Sequence, residues 1–307
     1  MTYILKISGL TKAFQGKEVV IDVNMHVKKG EIYGFLGPNG AGKTTVMKMI
    51  TNLVKPTSGD IELFGEKLTN TSFDVLKRMG TIIEYPIFYD RLTARENLEL
   101  HCEYMGYYDK SAIDQALDLV KLTNIEGKKV KDFSLGMKQR LGIARAISTK
   151  PELLVLDEPI NGLDPIGIKE LRDLFKILCK EYGITLLISS HILAEMEQMA
   201  DTIGILQHGR LIKEVSMQSI RGEQTEYIEL SVQHMKKTTY LLEHELHIHN
   251  FKVMNESCIR IYDTSRTHQE VSKVLILNDV GVNSITKKQH SLEDYFLHSM
   301  NGEGIHA

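Results

Sequence analysis

The residues with the most chemistry in them lie in one short stretch, Gly37-Pro38-Asn39-Gly40-Ala41-Gly42-Lys43-Thr44-Thr45. The spacing fits G-x-x-x-x-G-K-[ST], a loop that cradles phosphate. Gly40 and Gly42 can take backbone angles closed to other residues, so successive N–H groups can turn inward on one anion. A helix beginning near Gly42 adds its positive dipole end. Lys43 can reach terminal phosphates, and the Thr44 hydroxyl can bind Mg²⁺. The flanking elements must hold this loop in place. Glu31 to Leu36 reads as a buried strand feeding it, and Thr44 to Leu53 as a helix with Val46, Met49, Ile50 and Leu53 at helical spacing. A chance glycine turn would not carry motif, strand and helix together, so the stretch predicts binding of a nucleoside triphosphate.

Two further groups stand at strand ends. Leu153-Leu154-Val155-Leu156 is an apolar run ending in Asp157-Glu158, the pattern of a central parallel strand. At the carboxyl end of such a strand, side chains face the ligand crevice. Asp157 is expected to hold Mg²⁺ and Glu158 to polarise the attacking water, against the plainer alternative of a helix cap or turn. Ser190-His191 follows the apolar run Ile184 to Ser189. A lone histidine is commonly a satisfied core or surface group, but at this strand end it could reach a γ-phosphate.

The chain has 307 residues, 42% hydrophobic and 25% charged, which suits a large globular domain plus a smaller one. A net charge of −3 gives no polyanion footprint, so nucleic acid is not expected as the main partner. Cys102, Cys179 and Cys258 stand far apart without metal-ligand spacing and read as small core residues of a reducing compartment. Met1 to Leu10 alternates like a strand and lacks a signal-peptide core. No apolar run reaches about eighteen residues, so any membrane role is expected through a partner.

Tyr3 to Ile7 and Val19 to Val27 alternate apolar and polar residues, with Val19, Ile21, Val23, Met25 and Val27 expected on one face of an antiparallel strand. Asp60 to Phe64 and Thr81 to Glu84 read as strands. Thr93 to Tyr104 and Ser111 to Leu122 read as amphipathic helices of an insertion. Ser134 to Thr149 reads as a helix with Ser134 as N-cap, and Ile168 to Tyr182 as another. The alternation implies a mostly parallel sheet covered on both faces. Composition shifts near Gly222. Beyond it the pattern is strand (227–232), helix (235–246), strand (248–254), strand (258–262), helix (268–277), strand (282–287) and helix (292–300). The order βαββαβ suggests a small ferredoxin-like domain with a trailing helix. The expected organisation is residues 1–222 and 223–307.

The first of these segments resembles the ATP-binding subunit of an ABC transporter. The resemblance rests on the phosphate loop, Leu153 to Glu158, Asn161-Gly162-Leu163-Asp164, Ser190-His191, and Phe133-Ser134-Leu135-Gly136-Met137-Lys138-Gln139-Arg140, which is similar to the family's signature motif. It covers about residues 3 to 222. It implies an α/β P-loop cassette with a mostly parallel sheet, an antiparallel β subdomain and a helical insertion, followed here by a small α+β domain. It also implies ATP and Mg²⁺, hydrolysis to ADP and phosphate, and two subunits meeting head to tail. Each ATP would lie between the phosphate loop of one subunit and the signature of the other. Ser134, Gly136 and the start of their helix would cap the γ-phosphate, which suits an anion. Asp164 would link the two sites across the dimer. Phe14 matches the position that stacks on adenine, the alternative being a core phenylalanine. The choice of ATP over GTP comes from the family.

Leu135 and Met137 replace a Gly and a Gln of the usual signature. Glu84 stands where the family usually has a Gln that meets Mg²⁺ and the attacking water and couples the site to the membrane subunit; a Glu keeps an oxygen ligand and adds a charge. Together with Ile83-Glu84-Tyr85-Pro86, Ser134 to Met137 and the tail Ser291-Leu292-Glu293-Asp294-Tyr295-Phe296, this departure resembles subunits of bacitracin and lantibiotic self-protection exporters. Partners are then a second copy of the chain and an integral membrane permease, at the cytoplasmic face of the plasma membrane. The Tyr85 to Tyr89 aromatics read either as core or as a surface docking that permease. His244, His247 and His249 could suggest a metal site, but a turn between helix and strand gives no fixed ligand geometry, and they read as a solvated turn instead. An exporter of another cargo, or an ABC ATPase acting on DNA or the ribosome, are the other readings. The DNA type would need a coiled-coil insertion, and the ribosome type two cassettes with a basic linker.

Overall fold

A computed structural model of the chain describes residues 2–107, 109–123, 125–222, 226–263 and 265–289. They form two compact units, one running through Gln218 and one from Ser219. In the first, the order is β1 (Tyr3–Phe14), β2 (Lys17–Lys28), β3 (Ile32–Leu36), α1 (Lys43–Ile50), β4 (Ser58–Leu63), β5 (Glu66–Lys67), α2 (Phe73–Lys77), β6 (Met79–Ile82), α3 (Ala94–Met105), α4 (Lys110–Leu119), α5 (Leu135–Ile147), β7 (Leu153–Leu156), α6 (Pro165–Lys180), β8 (Thr185–Ser190), α7 (Leu193–Glu197), β9 (Thr202–Gln207) and β10 (Arg210–Ser216). α8 (Met217–Gly222) follows.

Among the described residues this unit carries two sheets. One is antiparallel, with strand order β2-β1-β4-β5. The other has the order β10-β9-β3-β8-β7-β6, with β9, β3, β8, β7 and β6 parallel and β10 an antiparallel edge. Every residue of β3, β7 and β8 is buried, which is why these strands read as continuous apolar runs rather than alternating ones. Leu36 faces Ser190, Ile188 faces Leu156, and Leu156 faces Ile82. The phosphate loop, Ser190-His191, Asp157-Glu158 and the segment after Ile82 therefore leave neighbouring strands at one carboxyl edge, where an open α/β sheet takes its ligand.

One expectation about β2 is corrected. Val23, Met25 and Val27 share the buried face, but Val20 joins them in place of Val19 and Ile21. The pairing steps from Leu10–Val23 to Lys12–Val20, so an extra residue sits in β2. Asp22 takes a φ of 49° there, and its N–H donates to the Thr11 hydroxyl at 3.0 Å. A bulge of this kind exchanges the two faces of the strand beyond it.

Local signals set the helix starts. Thr93 caps α3 in a reciprocal box with Glu96, Asp109 caps α4, and Ser134 caps α5, accepting from the Met137 N–H.

The second unit contains β11 (Glu226–Val232), α9 (Met235–His244), β12 (Phe251–Asn255), β13 (Cys258–Ile261), α10 (His268–Leu277) and β14 (Val282–Gln289). Its sheet has the order β12-β13-β11-β14, with every pairing antiparallel. Each helix thus connects two strands that flank a third, the split βαβ pattern. Leu241, Leu242, Val271 and Leu275 of the helices close on Ile228, Leu230, Ile259 and Ile261 of the sheet. β12 starts later than the expected Ile248. The N–H groups of Leu246 and Ile248 donate back to Leu241 and Leu242, and His247 has a φ of 55°, so these residues finish α9 instead. The helix expected over 292–300 lies outside the described residues.

Candidate active site

The loop between β3 and α1 folds as its glycines allow. Gly40 has a φ of 79° and Gly42 one of 108°, and a Cβ on Gly42 would lie 2.9 Å from the Val19 carbonyl. A side chain at either position would strain the turn that leads into α1. Lys43, the first residue of α1, is only 5% exposed. Its Nζ donates to the Gly37 carbonyl at 2.7 Å and to Pro38 at 3.3 Å, and lies 3.1 Å from Glu158 Oε1. Two loop carbonyls and the Glu158 carboxylate hold the ammonium against the loop.

Asp157, 3% exposed, receives two hydroxyls. Thr44 donates to its Oδ2 at 2.8 Å, and Ser189 donates to its Oδ1 at 2.6 Å. The same Ser189 oxygen accepts the Glu158 N–H at 2.8 Å. Ser189 therefore fixes both acidic residues although it belongs to no motif; its only signal in the sequence is a polar pair closing an apolar strand. Glu158 takes a φ of 48°, unusual for a residue with a Cβ. That turn aims Oε1 at Lys43 and Oε2 at His191 Nδ1, 2.9 Å away. Lys43, Thr44, Asp157, Glu158 and His191 are thus one bonded set, assembled from three neighbouring strand ends.

The other expected site residues are placed elsewhere. Glu84 carries a φ of 62°, and its carboxylate pairs with Lys48 at 2.6 Å. Phe14, at the end of β1, is 46% exposed with the Lys12 ammonium 4.9 Å from its ring centroid, so it is not a core residue. Ser134 and Gly136 begin α5, and Asp164 caps α6 by accepting the Gly167 N–H at 2.7 Å. These form a second cluster: a Cβ on Gly162 would meet Leu135 at 3.2 Å, and one on Gly136 would meet Leu163 at 3.6 Å.

One buried bond joins the two clusters. Gln139 of α5 donates to the Pro159 carbonyl, next to Glu158, at 2.7 Å. The polar Gln139 lies on the buried stripe with Gly142, Ile143 and Ala146, and this was the available signal. Gln139→Leu should leave the Pro159 carbonyl without that donor and cost about 1–3 kcal/mol of stability. Chemical denaturation checks it; an unchanged midpoint would mean another donor takes over.

The stretch after Glu84 is anchored to α5 from outside. A Cβ on Gly142 would lie 2.9 Å from the Pro86 ring, and Arg145 donates to the Ile87 carbonyl at 2.7 Å while lying 5.0 Å from the Phe88 ring. Tyr85, Ile87 and Tyr89 project outward, Ile87 83% exposed, so this is a surface and not core. Burial, with Arg145 beside it, pushes His101 down to about 4, which keeps that side chain neutral near pH 7. Of the three C-terminal histidines, His244 stacks on Tyr240 with centroids 4.2 Å apart.

The donor chemistry suits a hard divalent cation. The Thr44 and Asp157 side chains offer oxygens only, meeting at 2.8 Å beside the glycine loop. Mg²⁺ bound there would neutralise charge developing on phosphate oxygens.

A family model described as ABC transporter matches residues 20–161. Over 307 residues, all of both chains, the sequence is 62% identical to an uncharacterized ABC transporter ATP-binding protein, YcbN, of Bacillus subtilis (strain 168). Over 305 residues, 99% of this chain and 100% of the relative, it is 46% identical to the bacitracin transport ATP-binding protein BcrA of Bacillus licheniformis. The chain belongs to the ABC transporter ATP-binding proteins. This ABC protein is also 46% identical, over 69% of its length and 90% of the relative's, to the lantibiotic transport ATP-binding protein SrtF of Streptococcus pyogenes. Its fold matches the dimeric post-hydrolysis structure of the ATP-binding cassette MJ0796 bound to ADP and Pi, with a TM-score of 0.62, 26% identity, and 69% and 98% of the two chains covered. The membership and cassette fold implied by the motifs are those observed. Among the described residues no helix is long and apolar enough to cross a membrane.

Proposed function

We propose that this ABC protein hydrolyses ATP to drive a separate membrane permease that moves a peptide antibiotic of the bacitracin or lantibiotic type outward, for self-protection. The observation that carries the cargo is similarity to a bacitracin transport ATP-binding protein along 99% of the chain, through both units. The hydrolytic role is supported by the bonded set of Lys43, Thr44, Asp157, Glu158 and His191. Lys43 and the loop N–H groups hold the phosphates, Thr44 and Asp157 hold Mg²⁺ with Glu84 at the adjoining strand end, Glu158 orients water, and His191 meets the γ-phosphate. Phe14, exposed at a strand end, stacks on the base.

Two copies meet head to tail. The start of α5, with Ser134 and Gly136, caps the nucleotide of the other copy, and Asp164 lies at that junction. The outward Tyr85, Ile87 and Tyr89 dock the permease at the cytoplasmic face of the plasma membrane. The test is growth in bacitracin. Cells lacking the protein should be inhibited at several-fold lower concentration, and wild-type protein but not Glu158→Gln should restore growth. Unchanged sensitivity would rule out bacitracin as the cargo.

Residues 223–307 act as an accessory domain. A chain ending near Gly222 should keep ATP affinity within about threefold, because a compact unit with its own core folds alone. Loss of all ATP binding in a soluble truncation would count against that boundary.

A further inference from the structure

α1 carries two lysines, each paired with a glutamate from the end of a neighbouring strand. Lys43 pairs with Glu158 beyond β7 at 3.1 Å, and Lys48 with Glu84 beyond β6 at 2.6 Å. The two glutamates are placed alike. Ile82 and Leu156 face each other in the parallel register, so Glu84 and Glu158 each stand two residues past the same paired position. Both take left-handed backbone, with φ of 62° and 48°. Residues with a Cβ rarely do so, and where they do the surroundings hold them there.

The helix supplies the spacing. Thr44 and Lys48 are four residues apart and share a face of α1. Thr44 reaches Asp157, and Lys48 reaches Glu84. Lys48, which holds the Glu84 carboxylate, is thereby rooted about one helical turn, roughly 6 Å of rise for four residues, along α1 from Thr44. A third carboxylate at the strand end adjoining that of Asp157 and Glu158 repels them unless a cation compensates it. The Lys48–Glu84 pair is partly exposed and adds little to stability, so its consequence is where it places the carboxylate.

We propose that Lys48 is a positioning residue for Glu84. It is the counter-ion that lets a carboxylate stand where the family resemblance implies a glutamine, and it holds that carboxylate off the Thr44–Asp157 oxygens. This rests on the reading of the site as an ATP- and Mg²⁺-binding hydrolase. Without Lys48, Glu84 becomes one more anionic oxygen available to the cation and one more like charge beside Glu158.

The full chain should be compared as wild type, Lys48→Met, Lys48→Arg, Glu84→Gln and Lys48→Met/Glu84→Gln. Lys48→Met should lower kcat about tenfold while KM for ATP moves less than about threefold, the scale of one uncompensated charge near a partly exposed site. Its unfolding midpoint should shift by only a few degrees, since an exposed pair is lost. Lys48→Arg should stay within about threefold of wild type because the positive charge remains. The double variant should return to within about twofold of Glu84→Gln alone, because no carboxylate is left to hold. Wild-type kcat in Lys48→Met, or a double variant as slow as Lys48→Met, overturns the proposal. If the wild type itself shows no turnover, the hydrolase reading fails instead, and the pair is read from Mg²⁺ titration of the ATP complex. Lys48→Met should then bind Mg²⁺ several-fold more tightly and the double variant should revert. Equal Mg²⁺ affinity in wild type, Lys48→Met and the double variant overturns the pairing.

Discussion

Glu158→Gln should leave ATP bound but lower kcat about a hundredfold to ten-thousandfold, the range that a positioned general base supplies. The geometry explains why binding should survive. Glutamine keeps the length of the side chain and one acceptor oxygen, so it can still meet Lys43 or His191, the two partners Glu158 has at 3.1 and 2.9 Å. Its N–H still donates to Ser189, and the backbone turn at this position is unchanged. What is lost is the carboxylate charge that polarises water. With hydrolysis blocked, the ATP-bound dimer should accumulate. Phosphate release at saturating ATP and gel filtration with ATP read the two effects. Turnover near wild type would remove Glu158 from this role.

Lys43→Ala should fail one step earlier, at nucleotide binding. Hydrogen bonds to a charged group are worth about 1.5–3 kcal/mol, so ATP should bind roughly ten- to a hundredfold more weakly. The substitution also removes the donor that the Gly37 and Pro38 carbonyls share and leaves Glu158 without its cation. The phosphates then meet an uncompensated carboxylate, which weakens binding in the same direction. Titration with a fluorescent ATP analogue measures it, alongside an unfolding curve to separate a damaged loop from a damaged fold. Unchanged affinity would count against the loop as the phosphate site.

Much of this was present in the residues before any fold was known. The phosphate loop, the acidic pair after an apolar strand and the histidine after another could be read because each is a local pattern, and the order of strands and helices then required one sheet edge to collect them. Helix caps such as Ser134 and Thr93 were equally local. The sequence could not show the bulge at Asp22, because one extra residue in a strand depends on its partner's register, and it reversed the expected placement of Val19 and Ile21. Nor could it show that Ser189 bridges Asp157 and Glu158, that Gln139 reaches the Pro159 carbonyl, or that Lys48 holds Glu84. These pairs are separated by 20 to 36 positions in the chain. Periodicity says which residue types stand in one element. Only the pairing of neighbouring strands and the packing of α1 and α5 against their ends decide which donor meets which acceptor across elements.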